Sequence, residues 1–369
     1  MALGQGPWHE LDLLVVALPL ALLAGFLDLP AAVVFVVSAL AVIPLAGLVG
    51  RATEVLADSA GPSIGALLNA TFGNAAELIL AALLVINGEI GLLKASLTGS
   101  LIGNLLLLLG VSMIIAGHDR AEVSLPRSSR LQATILFLAI GIFLLPTVFS
   151  YRAESSHQRV DEVSDAVALV LVVVYALSLL FMLRTHRSLF RVQAEPTQPV
   201  EPPADPEQPS KGEAGGWSPK AAGLVLAGAT ALVAVAAELV VGSVQEAGAG
   251  LGLHTGFLGL IVLPLIGNAA EQFSALNLAA HDKLGVAADI AIGASMQLVM
   301  LVVPVLVLVG LISRHPVTLT FSPLELAALI VGTLLVRQLV EDSKANWFEG
   351  VMLLGLYGSF ATAAFFVDV

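Results

Sequence analysis

A chain of 369 residues with 57% hydrophobic and 12% charged residues, and a mean hydropathy of +0.95, has too few charges to coat a water-facing surface; soluble domains carry roughly 25%. Its net charge of −12 offers no basic patch to nucleic acid, and the absence of cysteine excludes disulfides and thiolate metal sites. The apolar residues come in long runs and not in short alternating segments, so the class is an all-α polytopic membrane protein rather than a closed barrel.

Taken in chain order, the runs predict about 11 transmembrane helices: 11–27, 30–49, 61–86, 89–116, 131–149, 163–184, 221–243, 255–280, 284–311, 322–340 and 345–366. The first is preceded by His9, Glu10 and Asp12 instead of a basic segment and reads as a retained helix, not a cleaved signal. Residues 193–219 are rich in Pro, Glu, Gln and Gly without apolar periodicity and read as a solvated acidic connector, or more sharply as a segment that collects cations. With eleven spans, twelve of the sixteen Lys and Arg fall on the side that holds the N-terminus. That asymmetry predicts a cytoplasmic N-terminus and linker and an external C-terminus.

The linker separates two halves that repeat. GNAAE occurs at 73–77 and again at 267–271, and the same offset of 194 carries Gly91 onto Gly285 and Gly99 onto Gly293. The expected organisation is an N-terminal helix (1–29), a five-helix repeat (30–184), the acidic linker (185–220) and a second five-helix repeat (221–369). An odd number of spans per copy forces the second copy upside down, a transporter signature with the substrate site near the midplane.

Glu77 and Glu271 stand in these repeats inside apolar runs. A charge at mid-bilayer costs about 3 kcal/mol on insertion scales and marks an ion or proton path far more often than a structural pair. Arg337 is the clear basic candidate at similar depth, so two symmetry-related carboxylates call for a bound cation or protons. Asn74 and Asn268 precede the glutamates by three and are expected on the same helix face. Gly73 and Gly267 permit close approach or an unwound turn, and Pro264 favours unwinding in the second half. The following helices add Ser100 and Asn104, then Ser295 and Gln297. The last two are two residues apart, so a regular helix points only one of them at an ion, and serine in a membrane helix more often bonds its own backbone.

Two carboxylates with several amide or backbone oxygens suit Ca²⁺, which takes 6–8 oxygen ligands; Mg²⁺ keeps its waters, and soft metals want Cys or clustered His. Burial favours the neutral form of a carboxylate, so without a cation the pair is expected to take up protons, making the two occupancies exclusive. Glu54 and Glu238, near what are expected to be corresponding helix ends, are candidates for the cation path, whereas Asp289 and Glu325 read as boundary or capping acids.

The segments LLNATFGNAAELILA (67–81) and GLIVLPLIGNAAEQFSA (259–275), with AELVVGSVQE (237–246) and GASMQ (293–297), resemble the signatures of the calcium/proton antiporter (CAX-type) family of the cation/Ca²⁺ exchanger superfamily. The resemblance covers both halves. It implies that Glu77 and Glu271 bind Ca²⁺ or protons, assisted by Asn74, Asn268 and polar groups of helices 89–116 and 284–311. It also implies Ca²⁺ export from the cytosol through the plasma (inner) membrane, or a vacuole-type membrane in a eukaryote, with no cofactor beyond the transported ions. Two departures stand out: Gln272 where the family commonly has histidine, and Gly103 where a polar residue commonly precedes Asn104. The competing readings are Na⁺/H⁺ or K⁺/H⁺ exchange on the same fold and, from another class, an intramembrane enzyme. Paired amides beside the glutamates suit ion ligation better than a two-carboxylate protease, so no enzyme activity is expected.

Overall fold

The computed structural model describes residues 16–151, 157–186 and 217–366. Most of the acidic linker, and the start of the first predicted helix, lie outside the described residues. The helices are α1 (Ala17–Phe26), α2 (Ala31–Ala60), α3 (Pro62–Phe72), α4 (Ala75–Ile86), α5 (Ile90–Gly117), α6 (Arg127–Ser150) and α7 (Arg159–Thr185). In the second half they are α8 (Pro219–Leu251), α9 (Thr255–Gly267), α10 (Ala269–Ala280), α11 (Leu284–Ser313), α12 (Pro323–Leu339) and α13 (Trp347–Phe366). Among the described residues seven helices are long and apolar enough to cross a membrane, eight if the bent pair α9–α10 is one span.

Helix starts follow local chemistry. Ser218 accepts a hydrogen bond from Ala221 N–H with Pro219 in the first turn of α8, and Ser322 and Glu325 form a capping box on α12, again followed by Pro. Gly61 at φ 83° turns the chain from α2 into α3, and Gly252 at φ 67° closes α8. Both long helices outrun their apolar cores: α2 is predicted to end at 49 and runs to Ala60, and α8 is predicted to end at 243 and runs to Leu251. Alanine-rich polar turns keep good helix propensity, so hydropathy alone ended them early.

The larger correction is at the repeats. The predicted single spans 61–86 and 255–280 are each broken, at Gly73–Asn74 and at Asn268, and α9 and α10 meet at 65°. The offset of 194 maps α4 onto α10 end for end. α5 and α11, the most deeply buried long helices, each carry a π-helical stretch, Gly103–Leu108 and Leu298–Val302. In α11, as in the π-turn Leu258–Val262 of α9, a proline follows two residues on (Pro304, Pro264) and removes an N–H from the ladder. No proline explains the stretch in α5.

α2 and α8 pack along each other, and α1 leans on α2. Contacts across the halves are reciprocal: α4 packs on the end of α11, and α10 on the end of α5. One relation is not reciprocal. α9 is pressed against α5 so closely that a Cβ on Gly99 would fall 2.0 Å from the Leu260 carbonyl oxygen. Its repeat-mate α3 packs chiefly on α2, leaving Gly293 of α11, the counterpart of Gly99, only half-buried.

α5 spans about 42 Å and its ends define two polar faces. At its C-terminal end a short antiparallel ladder, β1 (Val123–Ser124) with β2 (Lys344–Ala345), joins the ion pairs Arg120–Asp282 and Glu122–Lys344, both 2.6 Å. At its N-terminal end Gln245 donates to Glu89 at 2.6 Å, and Lys94 donates to Thr318 and Thr320 at 2.9 Å.

Candidate functional site

Each break exposes a helix N-terminus with a glutamate in its first turn: Glu77 on α4 and Glu271 on α10. The two break residues adopt nearly one conformation, Asn74 at φ −93°, ψ 18° and Asn268 at φ −99°, ψ 4°. The last turns of α3 and α9 end at the same points, and carbonyls at helix ends lack intrahelical donors. Two helix N-termini, two carboxylates and two sets of terminal carbonyls therefore meet where the inverted halves cross.

The glycines decide how close they come. A Cβ on Gly267 would lie 3.6 Å from Cα of Glu77, and one on Gly73 would lie 3.6 Å from Oε1 of Glu271. Each break glycine thus faces the glutamate of the other half. Gly73 provides both the break and the close approach, since its Cβ would also meet the Asn69 carbonyl oxygen at 2.5 Å. Both carboxylates therefore stand at the one crossing of the two halves. Arg337 instead stacks over the ring of Phe137 at 5.5 Å.

The amides cross between halves as well. Asn268 Nδ2 donates to Ser100 Oγ at 3.0 Å and to Glu77 Oε1 at 3.3 Å. Asn74 Nδ2 donates to Gln297 Oε1 at 2.7 Å. Both amides, expected on the helix face of the glutamate three residues on, make these hydrogen bonds across the repeat interface. Gln297 faces the site, and Ser295 does not, its hydroxyl bonding the Ala291 carbonyl one turn back.

Around this centre sit buried polar atoms with no partner: Asn74 Oδ1, Asn104 Oδ1 and Glu271 Oε2 among them. An orphaned buried acceptor costs about 1–3 kcal/mol, and here three oxygens share that condition. Among the described residues no three His, Cys, Asp or Glu gather, so the donor set is two carboxylates with amides and hydroxyls. That suits a hard cation as cargo.

Gln272 and Gly103 lie together, the Gln272 Nε2 coming 3.8 Å from where a Gly103 Cβ would be. Glu54 and Glu238 are not counterparts: the offset places Glu54 against Gly248 and Glu238 against Pro44. Both lie within long helices with exposed side chains, not at helix ends. Glu325 caps α12 as expected, whereas Asp289 accepts from the hydroxyls of Ser128 at 2.6 Å and Ser129 at 2.5 Å. Gln132 was not among the expected site residues; its signal was one amide at the very start of the apolar run 131–149.

The profile of the family described as "Sodium/calcium exchanger protein" matches residues 30–184 and 221–366. The chain is 41% identical over 365 residues to the "Ca(2+)/H(+) antiporter" of Synechocystis sp., covering 96% of each chain. It is 35% identical to the "Ca(2+)/H(+) antiporter ChaA" of Bacillus subtilis, covering 94% of this chain and 95% of that one. Of solved structures, that of native YfkE superposes at a TM-score of 0.81 with 32% identity, covering 97% and 100% of the two chains. The H⁺/Ca²⁺ exchanger CAX, at 16% identity and a TM-score of 0.73 over 96% and 90%, shares the fold.

Proposed function

The chain belongs to the sodium/calcium exchanger protein family, and on that premise we propose that it is a secondary antiporter exporting Ca²⁺ from the cytosol in exchange for protons, with Glu77 and Glu271 as the shared binding groups. The observation that carries this is the crossed pair: two carboxylates at helix breaks, each against the break glycine of the other half. Such a pair is stable when a divalent cation lies between the charges or when protons remove them. Ca²⁺ requires both ionised and protons require both neutral, so one site carries either cargo and not both together.

Asn74, Asn268, Ser100, Asn104 and Gln297 would complete the oxygen shell, with terminal carbonyls at the breaks supplying the remainder. The packing supports alternating access. α9 seals against α5 on the face away from the β-ladder, while α3 leaves its matching surface on α11 open on the ladder side. Exchange of these two relations would present the site to the other side. Glu54 and Glu238, exposed on long helices, fit a water-lined approach better than a lipid-facing one.

Exchange of Na⁺ or K⁺ for protons is the less favoured reading, because relatives of matching length are named for Ca²⁺. The test is ⁴⁵Ca²⁺ uptake into proteoliposomes with and without an imposed pH gradient, beside arms with Na⁺ or K⁺. Gradient-dependent Ca²⁺ flux unaffected by Na⁺ and K⁺ is expected. Proton movement driven by Na⁺ or K⁺ alone would overturn the assignment.

A further inference from the structure

On the ladder side of the glutamates, α6 and α11 run in the same direction with a fixed register. Ser128 and Ser129 of α6 bond Asp289 of α11, and one turn inward Gln132 Oε1 lies 3.7 Å from where a Gly293 Cβ would be. One further turn inward on α11 is Gln297, which accepts from Asn74 of the central site. Successive levels are about 6 Å apart, four residues at 1.5 Å rise each. A column of oxygens thus leads from the ladder face to the glutamate pair: the Asp289 carboxylate, the Gln132 carbonyl, then Gln297.

We propose that Asp289 and Gln132 form a second divalent-cation position, which receives the ion from the ladder face before it reaches Glu77 and Glu271. This rests on the antiport reading above. Each Asp289 oxygen accepts one hydroxyl, and a carboxylate has about four acceptor positions, so capacity for a cation remains. The Ser128 and Ser129 hydroxyl oxygens keep free lone pairs beside it. Gln132 is 8% exposed and its carbonyl oxygen is buried without a partner, the condition of the ligands at the centre itself. Gly293 leaves the space into which that carbonyl projects. Three bases at this end are turned elsewhere: Arg120 to Asp282, Lys344 to Glu122, and Arg130 to the Glu341 carbonyl at 3.4 Å.

The repeat supplies an internal contrast. The residue matching Asp289 in the first half is Ala95, and the one matching Gln132 is Leu326. The position therefore exists on one side only, where α3 leaves α11 uncovered. Docking of α3 on Gly293, as α9 docks on Gly99, would close it.

The experiment measures KM for Ca²⁺ separately from each membrane face, in inverted and right-side-out vesicles, for wild type, Asp289→Asn and Gln132→Leu. Asparagine keeps an acceptor for the serines, and leucine replaces an unsatisfied acceptor with an apolar group of similar volume, which leaves stability equal or higher. A local acid raises cation concentration and on-rate by about tenfold or more, so Asp289→Asn is expected to raise KM by about that factor from the ladder face; Gln132→Leu, which removes one neutral oxygen ligand of about 1 kcal/mol, is expected to raise it about fivefold. Turnover at saturating Ca²⁺ and KM from the other face stay near wild type. A KM shift equal from both faces, or a fall in turnover at unchanged KM, overturns the proposal, as does wild-type KM in Gln132→Leu. Should Asp289→Asn fail to fold, Gln132→Leu decides alone. Wild-type vesicles lacking gradient-driven Ca²⁺ flux would instead refute the antiport reading itself.

Discussion

Glu77 and Glu271 are the residues on which the chemistry depends, and the structure makes them unequal in setting though equal by repeat. Glu77 is 6% exposed and bonded by Asn268; Glu271 is half-buried with Oε2 unpartnered. Glutamine at either position keeps shape and one acceptor but removes the charge. At an effective dielectric near 20 a unit charge pair 4 Å apart is worth about 4 kcal/mol, roughly three orders of magnitude in affinity. Glu77→Gln and Glu271→Gln are therefore expected to lose gradient-driven ⁴⁵Ca²⁺ flux to background while the purified proteins melt near wild type. Near-normal flux in either would remove that residue from the site. At the Gln272–Gly103 contact, Gly103→Ser adds a Cβ at an ordinary 3.8 Å from Gln272 Nε2 and offers that unpaired amide an acceptor. The gain is expected to be about 1 kcal/mol, read as a higher melting temperature; a lower one would show that the helix crossing has no room. The glutamates, their asparagines and the glycines were legible in the sequence because a repeated motif inside an apolar run is a strong local signal. The partner of each amide was not, since it depends on how two halves 194 residues apart cross.

At the scale of elements, the described helices all fall on predicted apolar runs, but seven or eight of them, not eleven, are long and apolar enough to span, and the runs blurred two kinds of detail. Long helices extend through alanine-rich polar turns, so α2 and α8 were read short, and the supposed symmetry of Glu54 with Glu238 was an artefact of those short ends. The breaks at Asn74 and Asn268 leave hydropathy unchanged, and Gly73, Gly267 and Pro264 hinted at them without fixing the 65° bend. Gly99 and Gly293 show how equal sequence positions acquire unequal roles. A methyl at Gly99 would collide with the Leu260 backbone at 2.0 Å, and backbone cannot step aside, whereas at Gly293 it would meet Gln132 Oε1 at 3.7 Å in ordinary contact. Gly99→Ala is expected to cost about 1–3 kcal/mol or more, as overpacking of a tight interior does, and Gly293→Ala to melt within a few degrees of wild type. Equal melting temperatures for the two variants would mean that α9 does not hold α5 as described.

Taken as a whole, the molecule has two polar ends whose membership the sequence could only infer from counting charges. The structure gathers 118–126, 281–283 and 341–346 at one end through the β1–β2 ladder and the Arg120–Asp282 and Glu122–Lys344 pairs. Residues 87–89 and 315–320 lie at the other, tied by the hydrogen bonds of Lys94 to Thr318 and Thr320 and the approach of His315 to Gly88. Arg120, Arg127, Arg130, Lys283 and Lys344 all belong to the ladder end, and basic loop residues are retained in the cytoplasm. The ladder end is therefore expected to be cytoplasmic, with the linker on the same side. Because the chain has no cysteine, any one introduced is a unique label. Asp119→Cys and Asp342→Cys should resist a membrane-impermeant maleimide in intact cells and react once the membrane is opened. Pro316→Cys should react in intact cells, since it follows the left-handed Arg314 turn at the opposite end. Labelling of 119 and 316 from the same side would contradict the two-ended arrangement. Labelling of 119 and 342 from outside, with 316 protected, would keep the fold but reverse its orientation, and with it the direction in which Asp289 meets the cation.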